Sequence, residues 1–303
     1  MGKQQISGAR LVAAFGVLLG FIVTSVQAQP PGGGGPGGPG NAAALNAAAA
    51  AVPTPRLADG TPDLTGSWQG AGGGQRGVPG GMFRRCGPWQ TSSCMEWTNQ
   101  SSDFTFMAPM RLDTNQPLYK PEYWDKVIAL DQWTNRDDPV MTCLPLGQPR
   151  HGAPVRIFHT DRDITMFYRG GLDGGGGYND FRMIALDGRP HDPARGLQYT
   201  YMGYTVGRWE GDTLVLDSVG FTDETWLGRG GKFHSDQMRV IERFTRTGNL
   251  MRYEVTVEDP VVLVEPWVMN PRTLRIANNP AIISERGACT DTELGEVFTQ
   301  IRH

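Results

Sequence analysis

The chain has 303 residues, a formal net charge of −3, and contents of 39% hydrophobic and 19% charged residues. This near-neutral balance lacks the basic footprint that a nucleic-acid-binding protein needs. No apolar run reaches the roughly 20 residues with which a helix crosses a bilayer, and the chain is too apolar to be disordered throughout. We therefore expect no nucleic-acid partner and no membrane span in the mature protein.

The first residues have the pattern of a secretory signal peptide. Lys3 and Arg10 supply positive charge, an uncharged apolar stretch runs from Leu11 to Val23, and Val26-Gln27-Ala28 offers a cleavage site. We predict a signal peptide over residues 1–28 and a periplasmic or secreted location. An uncleaved anchor is the alternative.

Residues 29–55 are of low complexity, with a glycine- and proline-rich half followed by an alanine-rich half. Such a sequence buries little apolar surface against the entropy lost on ordering. We predict a disordered tether whose alanine half can form a frayed helix. Residues 56–303 are then predicted to form a single β-rich domain.

The four cysteines are an even number in a chain predicted to be exported. Outside the cytoplasm this count indicates disulfides before metal ligands. Of the three possible connectivities we favour Cys86–Cys94 together with Cys143–Cys289. No Cys-x-x-Cys pair occurs, which disfavours a zinc ribbon or a thioredoxin-like site.

Period-two alternation of apolar and polar residues predicts antiparallel strands in the second half of the chain. Residues 238–245 and 251–258 alternate in this way, and Thr247-Gly248-Asn249 joins them as a hairpin turn. Two more hairpins are predicted around the turns at 160–162 and 210–212. The fold predicted is mainly β, an antiparallel meander that closes into a barrel or a sandwich.

One short helix is predicted after Pro121, which suits a first-turn position. Apolar residues then follow on an amphipathic spacing until before Asn135. Apart from this helix, the regular structure predicted for the domain consists of β-strands.

Several motifs occur together between Asp63 and Cys289. They are YKPEYW (119–124), CLPLGQPR (143–150), DGRPH (187–191), GRWEGDTLV (207–215), GFTDETWL (220–227), HSD (234–236), ERF (242–244) and YEVTVEDP (253–260). This set resembles a large family of exported bacterial proteins, most of them hypothetical. The resemblance implies no particular activity.

The segment Asp63–Trp68 is similar to the Gly-x-Trp opening strand of lipocalins and avidin-like barrels, whose tryptophan closes the barrel floor. The resemblance implies a lipocalin-like barrel, in a class that includes ligand carriers as well as hydratases, isomerases and lyases. The chain departs from a minimal lipocalin in its length, because residues 70–150 have no obvious place in a simple barrel.

Glu242 is the central residue of the predicted site. It shares a strand face with Met238, Val240 and Phe244. A carboxylate on such a face loses its hydration, and in a cavity it serves as a general acid or base. The alternatives are that Glu242 pairs with an arginine and specifies packing, or that this face points outward and Ile241 points in.

His234 is the second candidate and lies in the glycine-rich segment 228–236. It can shuttle a proton, with Asp236 or Asp223 fixing its tautomer. The alternative is a surface loop whose histidine caps the start of a strand.

Aromatic residues crowd the central third of the chain, and an aromatic-lined cavity suits a flat or apolar ligand. The residues predicted to bind substrate are Trp226, Tyr201, Tyr199, Phe233 and His191. Trp226 is expected at the cavity rim. No cofactor or metal is expected, although His151, His191 and His234 with one carboxylate leave open a metal site assembled from distant segments.

These assignments predict an exported acid–base enzyme of lyase, isomerase or hydratase type, with His234 and Glu242 exchanging protons with a small organic or aromatic molecule. One alternative is a non-catalytic carrier or receptor for an apolar small molecule. The other is an envelope scaffold protein held by the 29–55 arm.

Overall fold

The structure is a computed structural model that describes residues 39–71, 115–132, 137–142, 144–168, 180–228 and 230–278. The predicted signal peptide and all four cysteines lie outside these ranges, so the cleavage site and the disulfide pairs stay predictions. Among the described residues, no helix combines the length and apolar character needed to cross a bilayer.

Strands make up most of the regular structure in the described part of the chain. They are β1 (Gly66–Gly70), β2 (Arg156–His159), β3 (Asp163–Tyr168), β4 (Asp180–Ala185), β5 (Tyr204–Glu210), β6 (Thr213–Val219), β7 (Trp226–Gly228), β8 (Lys232–Phe233), β9 (Arg239–Thr247), β10 (Leu250–Glu258), β11 (Trp267–Val268) and β12 (Arg272–Ile276). The helices are α1 (Pro39–Ala50), α2 (Trp124–Gln132) and α3 (Pro193–Gly196), with 3-10 turns at Pro121–Tyr123 and Pro139–Thr142.

Nine of these strands form one antiparallel, barrel-like sheet in the order β4-β3-β2-β1-β12-β10-β9-β6-β5, while β11 pairs with β10 and β7 pairs with β8. The two end strands, β4 and β5, lie side by side but share no ladder in the described structure. We call the gap between them the seam. The predicted mainly-β fold with a nearly closed, lipocalin-like barrel is confirmed.

The predicted β9–β10 hairpin is present, with its turn at Gly248 and Asn249 and with Thr247 as the last residue of β9. Its pairs run from Thr247 opposite Leu250 to Arg239 opposite Glu258. Gly248 turns the chain with φ +59°, a conformation that favours glycine. Even-numbered residues from 240 to 246 are buried and the odd-numbered ones are partly exposed. The face that carries Glu242 therefore points into the barrel.

Trp68, the tryptophan of the Gly-x-Trp motif, is buried in β1 and 3% exposed. Its indole Nε1 donates to the carbonyl of Leu64 at 3.0 Å. The Arg246 guanidinium lies 5.2 Å from the centre of the indole ring. Arg246 also donates to the carbonyls of Gly248, at 2.8 Å, and Asp63. One arginine thus connects the start of β1 to the β9–β10 turn.

The alanine-rich half of the segment predicted to be a disordered tether forms α1. The Ala49 carbonyl accepts a hydrogen bond from the Asn249 amide at 2.8 Å, and the Asn46 side chain donates to the Ala71 carbonyl at 3.1 Å. Arg275 in β12 donates to Asn46 at 2.9 Å. These long-range bonds order the helix against the β9–β10 turn, which local sequence does not reveal. Residues 29–38 lie outside the described residues.

The predicted helix after Pro121 is present as a 3-10 turn that continues into α2 and ends at Gln132. Its apolar side packs on the core through Tyr123, Val127 and Leu130. Trp124, by contrast, is 54% exposed. The helix contacts β8.

Candidate functional site

Glu242 lies fully inside the barrel and is 0% exposed. Its Oε1 accepts a hydrogen bond from the Tyr253 hydroxyl at 2.9 Å. Its Oε2 lies 2.6 Å from Nη1 of Arg182, whose side chain is 4% exposed. Both carboxylate oxygens are therefore occupied by protein groups, as one of the alternatives drawn from the sequence anticipated.

Arg182 is the cation of this interior network and comes from β4, at the seam. Its Nε donates to the Tyr168 hydroxyl at 3.0 Å, and Nη2 donates to the same oxygen. Its Nη1 also lies 3.4 Å from the hydroxyls of Thr205 and Ser218, in β5 and β6. Arg182 thus joins the two end strands of the sheet from the inside.

The interior network holds one full positive and one full negative charge away from water. Burial alone would lower the pKa of Arg182, but the adjacent Glu242 carboxylate outweighs burial and raises that pKa. Burial raises the pKa of Tyr168 and of Tyr253 well above the usual range, so both hydroxyls stay protonated at neutral pH. The network is therefore a buried ion pair whose two members are hydrogen-bonded to the hydroxyls of Tyr168 and Tyr253.

His234 is buried, 2% exposed, just after β8. Its Nδ1 lies 2.9 Å from the Ser235 carbonyl oxygen, and its Nε2 lies 2.7 Å from Oγ1 of Thr225. Because a carbonyl only accepts, Nδ1 carries the proton and Nε2 accepts from the threonine hydroxyl. Burial lowers the pKa of His234, so the ring is neutral near pH 7.

The two aspartates predicted to orient His234 do not hold its ring. Asp236 is exposed and accepts from the Gln237 side chain at 3.2 Å, and Asp223 is also exposed. The backbone of Ser235 and the hydroxyl of Thr225 perform the orienting role. No hydrogen bond or ion pair in the described structure joins His234 to Glu242.

The residues predicted to bind substrate lie in different surroundings. Trp226 and Phe233 belong to the buried core and pair across β7 and β8, so Trp226 is not at a rim. Tyr201 donates to the Glu224 carboxylate at 2.8 Å, a bond that raises the pKa of its hydroxyl. Tyr199 is 45% exposed. No hydrogen bond or ring contact between these four aromatic side chains is present in the described structure, apart from the strand pairing of Trp226 with Phe233.

His191 lies on the outside of the sheet, in the connection between β4 and β5. Its Nε2 is 3.3 Å from Oδ1 of Asp217, whose carboxylate also accepts from Arg239 at 2.8 and 2.5 Å. Burial alone would raise the pKa of Asp217, but Arg239 and the His191 ring outweigh it and lower that pKa. The His191 ring also packs edge-on against Tyr204 of β5, with the ring centres 5.5 Å apart.

A pocket of about 460 Å³ opens at the seam, lined by residues of β4, β5, the β2–β3 turn and the 186–203 connection. Four arginines and a single carboxylate, Asp163, line it. The arginines are Arg162, Arg182, Arg189 and Arg195. None of the residues predicted to form the site lies in this lining, although Arg182 contacts Glu242 beneath it.

Local sequence gives little signal for these arginines. In β4, buried Arg182 stands between exposed Phe181 and Met183. Its inward orientation could be predicted only if the buried face of this strand were already known. Arg162 lies in the β2–β3 turn and Arg195 in the short helix α3, and both are exposed, as an arginine ordinarily is. Only the approach of β4 to β5 brings them to one pocket.

The described residues include no group of three metal-ligating side chains that could hold an ion. His151, His191 and His234, the three histidines considered for an assembled metal site, have different partners. His151 lies 3.0 Å from Asp180, whereas His191 meets Asp217 and His234 meets Thr225.

Comparison of the chain with protein-family models, with curated proteins and with solved structures gives no match.

Proposed function

We propose that this protein is an exported binding protein, a carrier or receptor, that holds a small molecule at the seam of its barrel. The observation that carries this proposal is the pocket of about 460 Å³ between β4 and β5. Its volume lies in the range of ligand sites, about 300–1,000 Å³, and it sits where the order of the described strands breaks between β4 and β5. The export part of the proposal rests on the signal-peptide pattern of residues 1–28.

The shape of the seam favours a compact ligand over an added strand. A β-strand inserted between β4 and β5 needs about 4.8 Å on each side along its length. At Gly207, however, a Cβ atom would come within 3.3 Å of the Ala185 carbonyl and 2.7 Å of the Leu186 side chain. The gap between β4 and β5 is thus too narrow for another strand at Gly207, and the pocket lies beside this point.

The acid–base enzyme stays a prediction, and no contact between its two proposed groups supports it. Both oxygens of Glu242 are engaged by Arg182 and Tyr253, and both nitrogens of His234 are engaged by Ser235 and Thr225. An enzyme of this kind would lose turnover in His234→Ala and in Glu242→Gln. A substrate screen in which wild type turns over a compound and both variants do not would favour catalysis over simple binding.

The binding proposal is tested with two fluorescent probes, neutral N-phenyl-1-naphthylamine and its sulfonated relative 8-anilinonaphthalene-1-sulfonate. Met183 lines the pocket and is 69% exposed, so Met183→Trp adds bulk to the pocket wall without disturbing the core. Val268, 64% exposed on β11, provides the matched control Val268→Trp. We expect at least one probe to bind, with affinity reduced at least fivefold in Met183→Trp and unchanged in Val268→Trp.

Hydrogen exchange locates the bound probe independently of fluorescence. Residues 181–185 and 202–206 line the pocket, and their amides should exchange more slowly when the probe is present. The proposal is overturned if neither probe binds at micromolar concentration. It is equally overturned if a bound probe protects other segments and ignores Met183→Trp.

A further inference from the structure

We propose that the ligand of the seam pocket is an organic anion whose acidic group is bound by Arg162 and Arg195. This inference rests on the proposed binding function and names the chemical class of its ligand. The ligand class anticipated from the sequence, an apolar molecule in an aromatic-lined cavity, does not match a lining with four arginines.

The four arginines differ in how far their charge is already compensated. Arg182 is neutralised by Glu242 at 2.6 Å inside the barrel. Arg189 forms a forked pair with Asp187, with its Nε 2.8 and 2.9 Å from the two carboxylate oxygens. Arg162 and Arg195 have no carboxylate within ion-pair distance anywhere in the described ranges. Two of the four arginines that line the pocket therefore have no counter-ion in the described structure.

Asp163 does not offset these two charges through a direct pair. Its Oδ1 lies 3.1 Å from the Thr160 hydroxyl, a contact that closes the β2–β3 turn. A ligand with one or two negative charges completes the charge balance of the pocket. Guanidinium groups suit this role, because their planar donor fork matches carboxylate, sulfonate and phosphate oxygens.

Arg195 is held in place before any ligand binds. Its guanidinium lies 5.0 Å from the centre of the Tyr204 ring, within the range of cation–π attraction. The His191 ring packs on Tyr204 as well. A cation ordered in this way loses less side-chain entropy on binding than a free surface arginine does.

The rest of the lining suits the organic part of the ligand. Phe181, Met183 and Met202 line the same pocket, and methionine adapts its shape to different apolar partners. The pocket therefore combines cationic groups with apolar walls. This combination fits an amphiphilic anion better than it fits an inorganic ion or a neutral hydrocarbon.

The test compares two probes that differ only in their acidic group. 8-Anilinonaphthalene-1-sulfonate carries a sulfonate, and N-phenyl-1-naphthylamine is the same aromatic body without it. We expect wild type to bind the sulfonate at least tenfold more tightly, and the preference to shrink as salt rises. Arg162→Gln and Arg195→Gln should each weaken sulfonate binding severalfold and leave binding of the neutral probe unchanged.

Arg252→Gln serves as the control, because Arg252 is exposed, pairs with Glu254 and does not line the pocket. Displacement of the sulfonate by octanoate, octyl phosphate and octanol then tests the head group. Stronger displacement by octanoate assigns a carboxylate ligand, and stronger displacement by octyl phosphate assigns a phosphate ligand. Either result supports the inference. Octanol, which carries no charge, should displace the sulfonate least.

Different results would contradict the anionic ligand class and the binding function. If both probes bind at the seam with equal affinity, or if the Arg162 and Arg195 variants bind the sulfonate as wild type does, the anionic class is wrong and the binding function stands. If neither probe protects the seam from hydrogen exchange, the binding function itself is wrong.

Discussion

Arg182 and Glu242 form an ion pair in the interior of the barrel, with Nη1 and Oε2 2.6 Å apart and side chains 4% and 0% exposed. Arg182 belongs to an end strand, β4, and Glu242 belongs to β9. Two strands, β6 and β5, and then the seam separate β9 from β4 on the short way round the barrel. The pair therefore bridges the seam from inside, where no backbone ladder closes it in the described structure.

Glu242→Gln should destabilise the fold by about 3–5 kcal/mol, because it leaves the Arg182 charge buried without its counter-ion. The measurement is the free energy of unfolding from urea titration. The double variant Arg182→Met with Glu242→Leu removes both charges and should recover most of the loss, since buried ion pairs are often replaced by apolar residues at little cost.

The double-mutant cycle, with Arg182→Met and Glu242→Leu as its two single variants, measures the interaction directly. A coupling of about 3 kcal/mol or more between positions 182 and 242 supports a tight buried pair. A Glu242→Gln variant that unfolds at the same urea concentration as wild type would show that the pair does not hold β4 against the barrel.

The inward orientation of Glu242 was predictable from sequence, but its partner was not. Period-two alternation from Met238 to Phe244 assigns one face to Glu242, and the burial of those residues confirms it. Its ion-pair partner lies 60 residues earlier, on a strand that meets β5 only through barrel closure. Alternation is a local property of a strand, whereas closure depends on contacts that no local pattern encodes.

Stability should fall as pH drops below about 6.5, and His234 should account for part of the fall. Burial lowers the pKa of His234 below its ordinary value of 6.5, so the unfolded chain binds a proton that the folded chain resists. The stabilisation is therefore complete above pH 6.5 and is lost as pH falls below that value toward the lower folded-state pKa.

His234→Gln separates this contribution, because glutamine keeps one donor and one acceptor but does not titrate. The slope of unfolding free energy against pH between 6.5 and 5 should be shallower in the variant. His159, whose pKa burial also lowers, supplies the comparison variant His159→Gln. Asp217 does not interfere, because burial is outweighed by Arg239 and His191, which lower the pKa of its carboxyl further below this pH range. An unchanged slope in His234→Gln would mean that the ring is already solvated in the folded protein.

Gly207→Ala should destabilise the protein by about 1–3 kcal/mol, because the added methyl group overpacks the seam. Its Cβ would lie 2.7 Å from the end of the Leu186 side chain, which must change its rotamer, and 3.3 Å from the Ala185 carbonyl, which must give by a few tenths of an ångström. Probe binding at the adjacent pocket should change along with stability.

Gly70 gives the matched control, since it is also a strand glycine and a Cβ there meets no atom within 4 Å. Gly70→Ala should be neutral or stabilise by up to about 1 kcal/mol, through the unfolded chain alone. Equal effects of the two substitutions in urea titrations would show that β4 does not press against β5 at Gly207.

The aromatic residues predicted to form one site lie in different surroundings in the structure, because residue type alone does not distinguish core aromatics from ligand-binding ones. Trp226 and Phe233 are of the residue type that lines ligand cavities, yet they pack in the core. Burial on both sides of β7 and β8 depends on α2 and the preceding segment, which contribute Tyr119 and Tyr123 to the Phe233 ring. The sequence pattern grouped these rings in the central third of the chain and gave no sign of their distant partners.

Arg246→Lys should destabilise the fold by about 2 kcal/mol, although it conserves the charge. Arg246 is 6% exposed, its Nε donates to the Gly248 carbonyl at 2.8 Å, and its plane lies over the Trp68 ring. A lysine has no planar fork, so it cannot keep the stacking and both carbonyl bonds at once. The check is the urea midpoint, read together with tryptophan emission, which should shift red as water reaches Trp68. Arg252→Lys, on an exposed pair with Glu254, should stay within about 0.5 kcal/mol of wild type. If the two lysine variants prove equally stable, Arg246 does not connect β1 to the β9–β10 turn in the way that its contacts indicate.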